Sequence, residues 1–129
     1  MPSVLNFFTR KKRNSPKNNG EKAEQAAELY LQQQGLRLID RNFHSRMGEI
    51  DLIFLDNDTY VFVEVRFRAN ASHGSAAESL NPSKLKKVRL TADYWLQQNN
   101  KSTNACRFDA ILFDQEIDTQ HLTWLKAVF

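Results

Sequence analysis

The sequence holds a single cysteine, Cys106, so an internal disulfide and any multi-cysteine zinc site are excluded. Its place in an apolar run predicts a small hydrophobe in the core. No apolar stretch approaches the ~18 residues of a membrane span. The N-terminus lacks the apolar segment of a signal peptide, so a cytoplasmic location away from membranes is expected. There is no internal repeat, no glycine-rich phosphate loop and no Gly-x-Ser-x-Gly nucleophile turn. Acids are missing from residues 1 to 19, which carry Arg10, Lys11, Lys12, Arg13 and Lys17. The formal charge of +3 therefore arises in this segment, and the remainder of the chain is slightly acidic. Any affinity for a polyanion must come from local patches and from the tail.

What is present is one domain's worth of chain, 129 residues with 41% hydrophobic content. Residues 1 to 19 read as a basic tail of disorder-favouring composition, and residues 20 to 129 as a folded domain. From Glu21 to Gln34 the spacing of Ala23, Ala27 and Leu31 predicts a helix stopped at Gly35. Glu24 stands nearest the apolar stripe, and Glu21 and Glu28 are expected to point outward. Leu36 to Phe43 reads as a strand, followed by a polar turn in which His44 is expected at the surface. Residues 48 to 68 form the centre of the pattern: two apolar, β-branched runs around Asp-Asn-Asp-Thr, the signature of a β-hairpin. A long aperiodic loop follows Arg68, with the option of folding over a ligand. Asn81-Pro82 starts a second helix running to about Gln98. Cys106 to Phe113 reads as a central strand, and Leu122 to Phe129 as a last edge strand or an irregular tail. His121 receives no role.

Alternation in the hairpin puts Glu49 and Asp51 on one face of the first strand, with Ile50, Leu52 and Phe54 on the other. In the second strand Phe62, Glu64 and Arg66 share a face. A turn centred on Asn57-Asp58 sets Asp51 opposite Glu64 and Glu49 opposite Arg66. Facing carboxylates repel, so the Asp51/Glu64 pair needs compensation. A divalent cation with oxygen ligands would provide it, and so would an ion-pair network through Arg66 and another basic side chain. Lys84, Lys86, Lys87 and Arg89 oppose the dipole of the second helix, which phosphate binding would explain. A merely solvated face would also account for them.

These pieces resemble the YraN-like bacterial family of the restriction endonuclease-like PD-(D/E)xK superfamily. The likeness covers Ala23 to Phe129 and is carried by Glu24, Arg41-Asn42, Gly48-Glu-Ile-Asp-Leu-Ile, Val61-Phe-Val-Glu-Val-Arg, Lys84 and Arg107-Phe-Asp. The resemblance implies an α/β fold, a mixed central sheet flanked by helices in the order α-β-β-β-α-β-β. It implies a catalytic set of Glu24, Asp51, Glu64 and Arg66, with Asp51 and Glu64 as ligands of Mg²⁺ or Mn²⁺ and Glu24 as an accessory acid. The implied partner is nucleic acid, DNA more than RNA, contacted by Lys84 and Lys87, and a homodimer is left open. The similarity to archaeal Holliday-junction resolvases points to branched or damaged DNA. Arg66 replaces the motif lysine, and an arginine stays protonated and cannot act as a general base. Two other functions therefore stand beside a nuclease: a nucleic-acid-binding protein of this fold without cleavage, and a protein-interaction module whose acidic cluster is structural.

Overall fold

A computed structural model describes residues 13 to 128. The first helix, α1 (Asn19–Gln33), is capped by the Asn18 side chain, which accepts from the Glu21 N–H. Its end is a Schellman motif: Gly35 donates to the Gln32 carbonyl and Leu36 to the Leu31 carbonyl, with Gly35 at φ +95°. Strands β1 (Arg37–Ser45), β2 (Gly48–Asp56) and β3 (Thr59–Arg68) follow as an antiparallel meander. Helix α2 (Pro82–Gln98) begins with Asn81 capping the Lys84 N–H and Pro82 in the first turn. It crosses to β4 (Cys106–Asp114), which runs parallel to β3, and β5 (Leu122–Leu125) closes the sheet antiparallel to β4. The order across the sheet is β1-β2-β3-β4-β5, so the protein has a five-stranded mixed sheet and two long helices in the predicted element order.

Each helix covers one face. Ala23, Ala27 and Leu31 of α1 pack on Leu52, Phe54, Val61, Val63 and Ile111. On the other face Val88, Ala92, Trp95 and Leu96 of α2 pack on Ile50, Ile53, Phe62 and Phe108. β3 keeps strict alternation between these cores, as expected of a strand buried on both sides.

β2 does not. Ile50 belongs to the α2 core while Leu52 and Phe54 belong to the α1 core, so the alternation expected through Ile50, Leu52 and Phe54 breaks at Asp51. Two irregularities lie next door in β1: its register against β2 shifts between Leu38 and Asp40, and Asn42, between the Arg41–Leu52 and Phe43–Ile50 pairs, adopts φ +54°. Such an irregularity twists both strands and re-aims side chains.

Two other expectations, on Cys106 and Glu28, are corrected. Cys106 is exposed, because it is the first residue of β4 and lies outside both cores. Glu28 is buried rather than outward, since Arg41 and Arg13 close over it. The loop after Arg68 is anchored: Ala76 is fully buried beside Ala110 and Leu112, and its N–H donates to Asp114. Residues 1 to 12 of the basic tail, including Arg10, Lys11 and Lys12, and also Phe129 lie outside the described residues.

Candidate functional site

The β2–β3 hairpin closes on Asn57-Asp58, with Asp56 facing Thr59 and Leu52 facing Val63. This is the expected register, but the paired ladder ends at Leu52–Val63. Continuing it would pair Ile50 with Val65. Instead the Val65 N–H donates to the Asp51 carboxylate, at 2.9 Å. The strands therefore part where both hairpin acids sit, and the Asp51 side chain replaces a backbone acceptor.

Glu64 is 2% exposed and lies on the α2 side of β3. Its Oε2 is 3.1 Å from Lys84 Nζ and 3.2 Å from Arg66 Nη2. Neither approach has hydrogen-bond geometry, so Oε2 is buried without a hydrogen-bond partner. The Nε groups of Arg66 and Arg68 are likewise buried and unpartnered. A buried charge-bearing atom in that condition is costly unless something else engages it.

Asp51 is partly buried, and its carboxyl is pushed up to about 7 by burial and by the charge of Glu64. The Val65 N–H, Lys84 and Arg66 pull the other way without prevailing. From the α1 side, Glu24 is also raised to about 7, by burial and by the charge of Asp51. The charge of Glu64 thus acts on Asp51, and that of Asp51 on Glu24, around the splayed end of the hairpin. Two cations reduce the excess negative charge without cancelling it.

Glu49 does not meet Arg66. It pairs with His44, whose Nδ1 is 3.0 Å away, and both are exposed. His121 lies 2.7 Å from Asp118. Lys84 is held at Glu64, whereas Lys87 is exposed and lines a cleft of about 310 Å³ with Gly48, Glu49, Asn81 and Ser83.

Among the described residues no three His, Cys, Asp or Glu side chains are gathered so as to hold a metal ion alone. The two acids at the splay still match a hard cation. Mg²⁺ commonly takes one or two carboxylates and fills its octahedron with water and phosphate oxygens. The repulsion of Asp51 by Glu64 is what such an ion relieves, at a Glu64 Oε2 that Lys84 and Arg66 approach without hydrogen-bond geometry.

Two structural acids lay beyond the sequence reading. Glu28 accepts from Arg41 Nε and Nη2, both at 2.8 Å, and from Arg13 Nη2 at 2.7 Å, which fastens α1 and residue 13 to β1. Helical spacing held the signal, because Glu28 follows Glu24 by four residues and precedes Leu31 by three. Asp109, fully buried, accepts from Arg107, from Trp124 Nε1 at 3.0 Å and from the Ala127 N–H at 2.9 Å. It ties the C-terminal segment to β4.

The fold and site define a mixed α/β domain with a carboxylate cluster at a splayed hairpin, ringed by lysine and arginine. By sequence, residues 23–113 match the family model described as Uncharacterised protein family UPF0102, and the chain belongs to that family. It is similar to a UPF0102 protein of Marinomonas sp. strain MWYL1, 70% identical over 129 residues and all of both chains. UPF0102 proteins of Colwellia psychrerythraea and Herminiimonas arsenicoxydans are 45% and 46% identical, covering 98% and 95% of this chain and 99% and 94% of theirs.

Proposed function

We propose that this protein is a magnesium-dependent nuclease acting on DNA, on branched or damaged structures, with a restriction endonuclease-like fold. One observation carries the reading. Asp51 and Glu64 meet where β2 and β3 part, with Glu24 leaning in from α1, and the local cations leave their repulsion unrelieved. In this reading Asp51 and Glu64 hold Mg²⁺ or Mn²⁺. The bound ion supplies an activated water and stabilises charge on the scissile phosphate. The chain contributes the rest. Lys84 and Arg66 fix the Glu64 carboxylate. Arg66 and Arg68, both partly exposed, bring guanidinium groups that suit phosphate oxygens. Glu24 acts as the accessory acid that orients the water shell.

A second reading rests on Arg66. It stands where the superfamily motif has lysine, it remains protonated, and it spends part of its charge on Glu64. A nucleic-acid-binding protein without cleavage fits that substitution. The two readings separate in one experiment. Wild type, Arg66→Lys and Arg66→Ala are assayed with Mg²⁺ and Mn²⁺ on single-stranded, duplex and branched DNA and on RNA. The nuclease reading expects wild-type turnover or a gain in Arg66→Lys, and Asp51→Asn abolishes either. Inert wild type and inert Arg66→Lys overturn it in favour of binding alone.

A further inference from the structure

Helix α2 presents Lys84, Lys87, Thr91, Tyr94 and Gln98 at three- and four-residue spacing, a single stripe. The β1–β2 turn lies along this stripe. Gly48 touches it so closely that an added Cβ would be 3.1 Å from Thr91 Oγ1 and 3.6 Å from Lys87 Cβ. That contact divides one groove into two clefts. The Lys84–Lys87 cleft lies on one side. On the other is a cleft of about 520 Å³ lined by Phe43, His44, Arg46, Met47, Tyr94 and Gln98.

The second cleft has features the carboxylate site does not use. Phe43 and Tyr94 stack, with ring centroids 6.2 Å apart and planes at 30°. Tyr94 and Met47 are each 37% exposed, in a protein that buries most of its large apolar side chains. Arg46 is exposed on the rim, and no acid lines the cleft. Of the lining residues, His44 pairs with Glu49, which itself lies outside the lining. An aromatic platform with a cationic rim and no carboxylate suits a nucleobase and its phosphate.

We infer that the Phe43–Tyr94 stack and Arg46 form a subsite for an unpaired base, and that the strand carrying it runs along α2 past Lys87 to Glu64. Ten residues of helix separate Tyr94 from Lys84, about 15 Å. That is about four nucleotides at the ~3.4 Å rise of stacked bases. A base within a duplex cannot offer its face to Tyr94, so the substrate is single-stranded or unpaired near the point of action. This inference rests on the nucleic-acid reading above and narrows its substrate class.

The test is metal-free binding of full-length protein to fluorescently labelled single-stranded and duplex DNA of one length. A 2-aminopurine placed along the single strand reports stacking. Tyr94→Ala is expected to weaken single-strand binding about five-fold or more. It should abolish 2-aminopurine quenching at one register and leave duplex affinity unchanged. Tyr94→Phe should retain both, and Arg46→Ala should weaken affinity while retaining quenching. Equal affinity of wild type and Tyr94→Ala for single strands overturns the inference. So does a preference for duplex, even with nuclease activity present. Tyr94-dependent single-strand binding by a protein that never cleaves supports the subsite and removes the nuclease reading alone.

Discussion

Asp51 answers two opposing demands. Its carboxylate holds the Val65 N–H that the hairpin ladder leaves over, which favours the charged form, while burial and Glu64 favour the neutral one. The second influence prevails, and Glu24 follows it. In metal-free protein both acids have folded-state values near 7, above their ordinary 3.8 and 4.5. Their contribution to stability is full below the ordinary values and is lost as pH rises through about 7. Glu28 has the opposite sign. Burial raises it, but the hydrogen bonds from Arg41 and Arg13 win and lower it, so its contribution is lost as pH falls into the acid range. Asp51→Asn keeps an acceptor for Val65 and removes the repulsion. With chelator at pH 8 it should be more stable than wild type by about 1–2 kcal/mol, with the gain vanishing near pH 4. Urea titration at the two pH values checks this. A variant no more stable than wild type at pH 8 would show the cluster to be compensated without a cation.

At the level of elements, the hairpin tip of β1–β2 and α2 are joined through Gly48. At φ +147° and with Thr91 Oγ1 3.1 Å away, an alanine there meets both backbone strain and a tight contact. Gly35 has φ +95° but nothing within 4 Å of an added Cβ, so it carries strain alone. Gly48→Ala should cost about 1–3 kcal/mol and Gly35→Ala about 1 kcal/mol. The measure is the urea midpoint at unchanged slope. The reverse order would remove the Gly48–Thr91 contact from the account of how the groove is held. Much of this level was legible in sequence, because local chemistry writes it: Asn81-Pro82 at the start of α2, Gly35 after α1, Asn57-Asp58 between β2 and β3. The face change at Asp51 was not legible. It accompanies the positive φ of Asn42 and the Leu38/Asp40 register shift in the neighbouring strand, and a strict period of two has no place for a partner's irregularity. Cys106 was misread for a related reason, since an apolar run does not show where a strand enters the core. The three acids of the site were visible as residues. Their convergence at a splayed ladder end depends on tertiary pairing.

Across the whole molecule, charge is divided by position. The folded part is slightly acidic and holds Lys84 and Arg66 against Glu64, so its long-range pull on a polyanion is weak. Arg10, Lys11 and Lys12 carry no compensating acid nearby in sequence. Arg13 differs from them, because it is committed to Glu28, and Asn18 caps α1. A deletion that measures the tail's electrostatic part must therefore end before Arg13. Each phosphate contact contributes about 0.9 to the slope of log K against log salt on duplex DNA. Removing residues 1 to 12 should lower that slope by up to about 2.7. Deletion through residue 19 should reduce affinity further and also destabilise α1, through loss of the Asn18 cap and the Arg13–Glu28 pair. Binding titrations of full-length and shortened protein at three or more salt concentrations distinguish these effects. If the slope is the same without residues 1 to 12, polyanion attraction resides in the groove along α2. Lys87→Ala and Arg46→Ala should then carry the salt dependence instead.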